Sequence, residues 1–270
     1  MSTAALEVQH LSVTYGDREV LHDISLSVAP GEIMVIMGGS GSGKSTFLRH
    51  LLGLELPRSG HVRLLGQDLN ALSQKQLTEL RRKIGVAFQS GALLSSMTVA
   101  DNVMQPLREH TRLDEKTMHI MMRLKLDFVS MGGSENLLPS QLSGGMIKRA
   151  AIARAIVMDP RLLFLDEPSA GLDPVVAAGL DELILRTREA TGMSVVVVTH
   201  ELESAFKIAD RIAVLDRGQM LACGTVAEVR SHPNERVQAL LTRKVELKSQ
   251  TPEELMRVLS GEPSQQLKKA

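Results

Sequence analysis

The apolar positions of this chain change period several times, and each change marks an element. Residues 6–13, Leu-Glu-Val-Gln-His-Leu-Ser-Val, alternate and predict a half-buried strand. Tyr15-Gly16-Asp17-Arg18 predicts a turn, and alternation resumes over 20–28 until Pro30-Gly31 ends it. These early strands point to a small antiparallel sheet beside a main one. An apolar run, Ile33-Met34-Val35-Ile36-Met37, predicts a buried strand, followed by a glycine-rich turn and a helix over 46–52. Further strands are expected at 61–66, 84–89, 162–165 and 195–198, with a hairpin pairing 212–215 and 219–222 around Asp216-Arg217-Gly218. The run Val195-Val196-Val197-Val198 is wholly β-branched, as suits a central strand buried on both faces.

Helical spacing appears over 73–82, with Ser73 as cap and Gln76 at the capping-box position. It returns over 99–126 with a break expected near Pro106, over 147–158, from Pro174 to near Gly192, and in short stretches at 226–230 and 234–241. Strand patterns stop between 90 and 141, which predicts a helical subdomain. Met118, Met121, Met122 and Leu126 share one helical face there; a core stripe and an adaptable docking surface both fit them. The charges of 108–116 read as a solvated face. Beyond residue 244 the chain is polar, apart from a capping box at Thr251-Pro252-Glu253-Glu254 and an apolar edge of Leu255, Val258 and Leu259. A short docking helix and disorder are both compatible with that tail.

Composition narrows the classes. The 270 residues carry 31 basic and 31 acidic side chains, so no net charge draws the chain to nucleic acid or anionic lipid. Aromatics are 2% with no Trp, which argues against base-stacking platforms. A lone cysteine, Cys223, excludes an intramolecular disulfide and suits a reducing compartment. No apolar run approaches the roughly 20 residues of a membrane span, and the first residues lack a basic region followed by an apolar core. The expectation is a soluble intracellular protein that any membrane partner must hold in place.

The chemistry centres on Gly38-Gly39-Ser40-Gly41-Ser42-Gly43-Lys44-Ser45, which fits G-x-x-x-x-G-K-[ST] in full and stands between a strand and a helix opening with Thr46. Glycines let backbone N–H groups turn inward around an anion, and the helix N-terminus adds partial positive charge. Lys44 is expected to reach the β- and γ-phosphates and the Ser45 hydroxyl to ligate Mg²⁺. A second anion site of the same logic is expected at Ser143-Gly144-Gly145-Met146, where serine and two glycines open an alanine-rich helix. Lys148 and Arg149 in its first turns oppose the helix dipole, which suits a site built to meet an anion. Asp166 and Glu167 end an apolar strand and point in different directions, one toward a metal's water shell and one toward a nucleophilic water. His200 emerges from the end of the central strand, where open α/β sheets bind ligands. Gln89, at another strand end, is either solvated or aimed at a metal. Tyr15 is either an ordinary strand-end tyrosine or a ring for adenine to stack on.

Together, residues 38–45, Gln89, 142–145, 163–167, the turn 169–173 and His200 resemble the ATP-binding subunits of ABC transporters in order and spacing, over roughly residues 5–240. In that family these are the phosphate loop, Q-loop, signature, carboxylate strand, D-loop with Asp173, and switch histidine. The resemblance implies an α/β fold: a RecA-like P-loop NTPase parallel sheet, with an N-terminal antiparallel β subdomain and an inserted α-helical subdomain at 90–158. Residues 241–270 form a tail. It implies Tyr15 on adenine, ATP and Mg²⁺ as cofactors, and Ser45, Gln89 and Asp166 at the metal. Lys44, Glu167 and His200 take catalytic roles. It also implies a head-to-tail dimer with a second copy, each ATP lying between 38–46 of one subunit and the signature of the other. Residues 88–94 and 106–111, and Met146 where most of the family has Gln, are similar to the ATPases of the MCE-associated phospholipid transporters, the Mla type. That narrower resemblance implies a motor on the cytoplasmic side of a bacterial inner membrane, held there by an MlaE-like permease. A periplasmic lipid-binding MCE protein and a small STAS-domain protein complete the implied complex, with no nucleic acid. The alternatives weighed are a small-solute or amino-acid importer ATPase, a soluble ABC module acting on DNA or ribosomes, and a non-hydrolysing nucleotide sensor. The second lacks the usual tandem cassettes, and the third is opposed by the intact Lys44, Asp166, Glu167 and His200.

Overall fold

Five of the apolar runs fold as strands of one sheet, and their side chains divide by alternation between two cores. A computed structural model describes residues 3–242 of the chain; the expected tail helix at 251–259 lies outside them. The main sheet holds β3 (Ile33–Met37), β6 (Ile84–Ala87), β7 (Leu162–Asp166), β8 (Ser194–Thr199), β9 (Arg211–Asp216) and β10 (Gln219–Thr225) in the order β10-β9-β3-β8-β7-β6. All neighbours are parallel except the β9–β10 hairpin. The smaller sheet, β2-β1-β4-β5, is antiparallel and built from β1 (Leu6–Tyr15), β2 (Arg18–Val28), β4 (Ser59–Leu64) and β5 (Gln67–Asp68).

Side chains of a strand alternate between faces. Ile33, Val35 and Met37, with Leu163, Leu165, Val195 and Val197, enter a core shared with the helices of the insertion. Met34 and Ile36, with Leu162, Phe164, Val196 and Val198, enter a second core under the antiparallel sheet and α1 (Lys44–Leu51). Both faces are covered, so β3 and β8 are buried at every position and read as unbroken apolar runs.

Between β6 and β7 the chain is helical, as expected. Ahead of β6, the capping box at Ser73 and Gln76 forms at the start of α2 (Gln74–Arg81). The break expected at Pro106 is not there. A continuous helix, α3 (Val99–His110), runs through it, and the chain breaks instead at Thr111, before Asp114 caps α4 (Glu115–Phe128). A proline inside a helix costs about 3 kcal/mol. Burial of Val99, Val103, Met104 and Leu107 on one face of α3 contributes on the order of 6–12 kcal/mol as an upper estimate, so packing overrides the local preference. Met118, Met122 and Leu126 are buried, which gives the methionine stripe its core reading, while Ile120 and Leu124 on α4 stay exposed.

The insertion closes with α5 (Gly144–Ile156). The chain continues through α6 (Pro174–Thr191), capped by Asp173, then α7 (Leu202–Ile208), α8 (Val226–Arg230) and α9 (Glu235–Leu241). Helix α7 has no counterpart among the expected elements, because seven residues are too few to establish a period. Among the described residues no helix is long and apolar enough to cross a membrane.

Candidate functional site

Residues 38–45 wrap around the N-terminus of α1. Gly43 precedes it at φ 101° and Gly41 sits at φ 75°, both left-handed. A Cβ at position 38 would lie 2.3 Å from the Leu215 carbonyl oxygen and 2.5 Å from Ser42 Oγ, so glycine is required there by space as well. No side chain caps the helix, and Phe47 is the first residue bonded back across the turn, to Gly43 O at 2.8 Å. The N–H groups of Lys44, Ser45 and Thr46 therefore have no partner within the helix. Ser42 Oγ is buried without a hydrogen-bond partner. These donors suit a multiply charged anion such as a nucleotide phosphate. Lys44 Nζ donates to the carbonyls of Gly38, at 2.7 Å, and Gly39, at 3.0 Å. Burial pulls its amine down, and the charges of Glu167 and Asp166 oppose that shift. Ser40 on the loop and Ser45 in the first turn of α1 are exposed.

The carboxylates stand at the ends of neighbouring strands. Asp166 of β7 is in register with Val198 of β8, which adjoins β3 and the glycine loop. Asp166 opens with Phe88, Gln89, Ser90 and Ala170 onto a cleft of about 530 Å³. Burial, and then the charge of Glu167, push its carboxyl above the usual range. Glu167 turns away into the buried interior with φ 46°, left-handed for a non-glycine residue. Its N–H donates to Val198 O at 2.8 Å. Its Oε1 lies 2.8 Å from His200 Nδ1, and its Oε2 accepts from the Thr199 hydroxyl at 3.1 Å and the His200 N–H at 3.4 Å. The two adjacent carboxylates thus point in different directions, Asp166 to the cleft and Glu167 to Thr199 and His200. Among the described residues no three His, Cys, Asp or Glu side chains cluster as a metal site. The oxygen donors of Ser45, Gln89 and Asp166 fit Mg²⁺, a hard cation held by few protein ligands, with phosphate and water supplying the rest.

Lys148 and Arg149 do not face an anion at the signature, contrary to expectation. Lys148 is buried and donates to the backbone carbonyls of Gln89 and Glu167, and Arg149 donates to Val129 O at 2.9 Å. The only signal in the sequence was the apolar company of Lys148: α5 is buried around most of its circumference, at Ala150, Ala151, Ile152, Ala153, Ala155 and Ile156. Sequence reasoning also passed over Thr199 as a partner of Glu167.

Ser143 caps α5, its hydroxyl accepting from the Met146 N–H at 3.3 Å. Gly144 and Gly145 pack against the segment around Asp173: a Cβ at position 145 would lie 2.6 Å from Val176 Cγ1. Asp173 itself accepts from the N–H groups of Val175 and Val176, each at 3.1 Å. Among the described residues no hydrogen bond joins 143–146 to 38–46. Tyr15 ends β1 beside Thr46, half exposed, with its hydroxyl bonded to Glu55. That bond pushes the phenol up and holds the Glu55 carboxyl down. The structure therefore gathers 38–46, Gln89, Asp166, Glu167 and His200 in one place, keeps Tyr15 at its margin, and leaves the signature with the D-loop. A cavity of about 600 Å³ at the opposite strand ends, lined by Pro30, Arg161 and Ser194 among others, contains none of these residues.

Residues 21–170 match the ABC transporter family. The chain belongs to that family. Among curated relatives of this ABC ATPase, the intermembrane phospholipid transport system ATP-binding protein MlaF of Haemophilus influenzae is 39% identical over 237 residues, 88% of this chain and 90% of that protein. The probable ribonucleotide transport ATP-binding protein mkl of Mycobacterium leprae is 40% identical over 82% of this chain and 63% of its own length. Among solved structures, the dimeric post-hydrolysis state of the ATP-binding cassette MJ0796, bound to ADP and Pi, aligns with TM-score 0.75 and 31% identity over 82% of this chain and 98% of that one.

Proposed function

We propose that this ABC ATPase hydrolyses ATP to drive phospholipid movement between bacterial membranes, as a peripheral subunit on the cytoplasmic side of the inner membrane. The observation that carries the reading is the MlaF match, which is 39% identical over 237 residues and spans nine-tenths of that relative. The mkl relative favours a ribonucleotide-transport reading, but this chain spans under two-thirds of it.

The site supports the chemistry residue by residue. The N–H groups of Lys44, Ser45 and Thr46 and the Lys44 ammonium bind and orient the β- and γ-phosphates, and Tyr15 offers its exposed ring to adenine. Ser45, Gln89 and Asp166 would hold Mg²⁺, which would supply positive charge against the phosphates. Glu167 accepts a proton from, and orients, the attacking water. His200 holds the Glu167 carboxylate until the γ-phosphate competes for its imidazole. The signature, Ser143 to Met146, packs against the segment around Asp173 and, among the described residues, makes no hydrogen bond to its own phosphate loop, which supports a head-to-tail dimer with ATP between the copies. Partners of the phospholipid-transport reading are a permease at the helical insertion, a periplasmic MCE protein and a STAS-domain protein.

The test is reconstitution. The chain co-expressed with its permease should partition with membranes and show ATPase activity stimulated by phospholipid. Stimulation by ribonucleotides alone would overturn the lipid assignment while leaving the ATPase in place.

A further inference from the structure

Helix α5 opens with the signature and then grips two parts of the catalytic cleft from within. Lys148 Nζ donates to the Glu167 carbonyl at 2.9 Å and also to the Gln89 carbonyl. Arg154, two turns later, donates to Gly91 O at 2.8 Å and Ala92 O at 2.7 Å. Gly91 sits tight against Ile147, where a Cβ would come within 2.6 Å of Cγ2. The loop after Gln89 is thus bound to α5 by its own backbone.

Lys148 is the one side chain among the described residues that joins this loop to Glu167. It is 9% exposed. The burial of a lysine is strongly unfavourable unless its ammonium is hydrogen-bonded and compensated. Here two carbonyls accept from it, and the charges of Asp166 and Glu167 lie nearby. The Glu167 peptide is the strained member of the pair. Its left-handed φ is unfavourable for a residue with a Cβ, and such strain persists only when surrounding contacts fix it. Three contacts do so: Val198 O from the N–H side, Lys148 on the carbonyl, and a longer bond of 3.3 Å from Ala170 N. A turn of that peptide would swing the carboxylate off Thr199 and His200.

We propose that Lys148 is a positioning residue for hydrolysis: it locks the Glu167 peptide in its left-handed conformation and ties it to the Gln89 loop. A shift of that loop is then transmitted through one ammonium group to the carboxylate that orients water. The inference rests on Glu167 having that role in the proposed function.

Lys148→Met keeps the aliphatic stem and removes the donors; Lys148→Gln keeps a shorter N–H donor. In the full chain with Mg-ATP, kcat should fall about tenfold or more in Lys148→Met and by an intermediate factor in Lys148→Gln, with KM and nucleotide affinity changed less than about threefold. A folded Lys148→Met with kcat within twofold of the parent overturns the proposal, as does a loss confined to KM. Should Lys148→Met not fold, unchanged kcat in Lys148→Gln overturns it equally. Glu167→Gln run in parallel separates the two levels. If it keeps normal turnover, the site reading fails and this inference with it. If it is inactive while Lys148→Met is normal, this inference alone fails.

Discussion

His200 Nδ1 lies 2.8 Å from Glu167 Oε1, across the ends of two adjacent parallel strands. The contact joins the residue proposed to orient water to the residue proposed to meet the γ-phosphate. It holds the carboxylate in a defined place, with Thr199 on its other oxygen. Under the proposed function, turnover draws the imidazole to phosphate while Thr199 and the fixed peptide keep Glu167 aimed.

Glu167→Gln retains the shape of the side chain and removes its basicity. Steady-state ATP hydrolysis should drop about 10²-fold or more, since positioned general bases contribute that much. With saturating Mg-ATP the variant should elute from gel filtration as a stable dimer. A monomer under those conditions would count against the sandwich.

His200→Ala removes one of the Glu167 contacts and the group proposed to meet phosphate. The expected result is a fall in kcat of about 10–100-fold with KM little changed, because the lost contact acts in the transition state. A mutant altered only in KM would show that the imidazole serves binding alone.

Lys44→Ala should abolish productive nucleotide binding, measured by fluorescent-nucleotide titration and by turnover. The loss should reach about 10²-fold or more, as for other preorganised charges on a transferred group. Retained hydrolysis would refute the phosphate-loop assignment.

Asp166 carries a carboxyl whose pKa is raised by burial and by Glu167. For an acid raised on folding, the folded state disfavours the charged form. The penalty is present at neutral pH and is relieved as pH falls through the folded pKa toward the unfolded one. Asp166→Asn should therefore stabilise the nucleotide-free chain at pH 7 by about 1 kcal/mol, roughly 2–4 °C in Tm, with the gain shrinking toward acid. The same variant should lose Mg²⁺-dependent turnover. A lower Tm at pH 7 would contradict the electrostatic reading.

Asp173→Ala removes the cap of α6, which satisfies two N–H groups. Thermal unfolding should show a loss of about 1 kcal/mol. A loss of ATP-induced dimer in the same variant, beyond what that destabilisation explains, would give the D-loop aspartate a role between copies.

The sequence by itself determined the strand-glycine-helix context of residues 38–45, the apolar strands and the polar residues at their ends. It did so because two-faced burial and phosphate cradling each impose a pattern readable over a few neighbouring positions. The tertiary structure decided what depends on distant partners. Pro106 stays inside a helix because α3 buries one side along its length. Short α7 forms where no period is visible. Above all, Lys148 turns inward: its two acceptors come from loops 59 and 19 residues away, and no local rule of charge and helix dipole can see them.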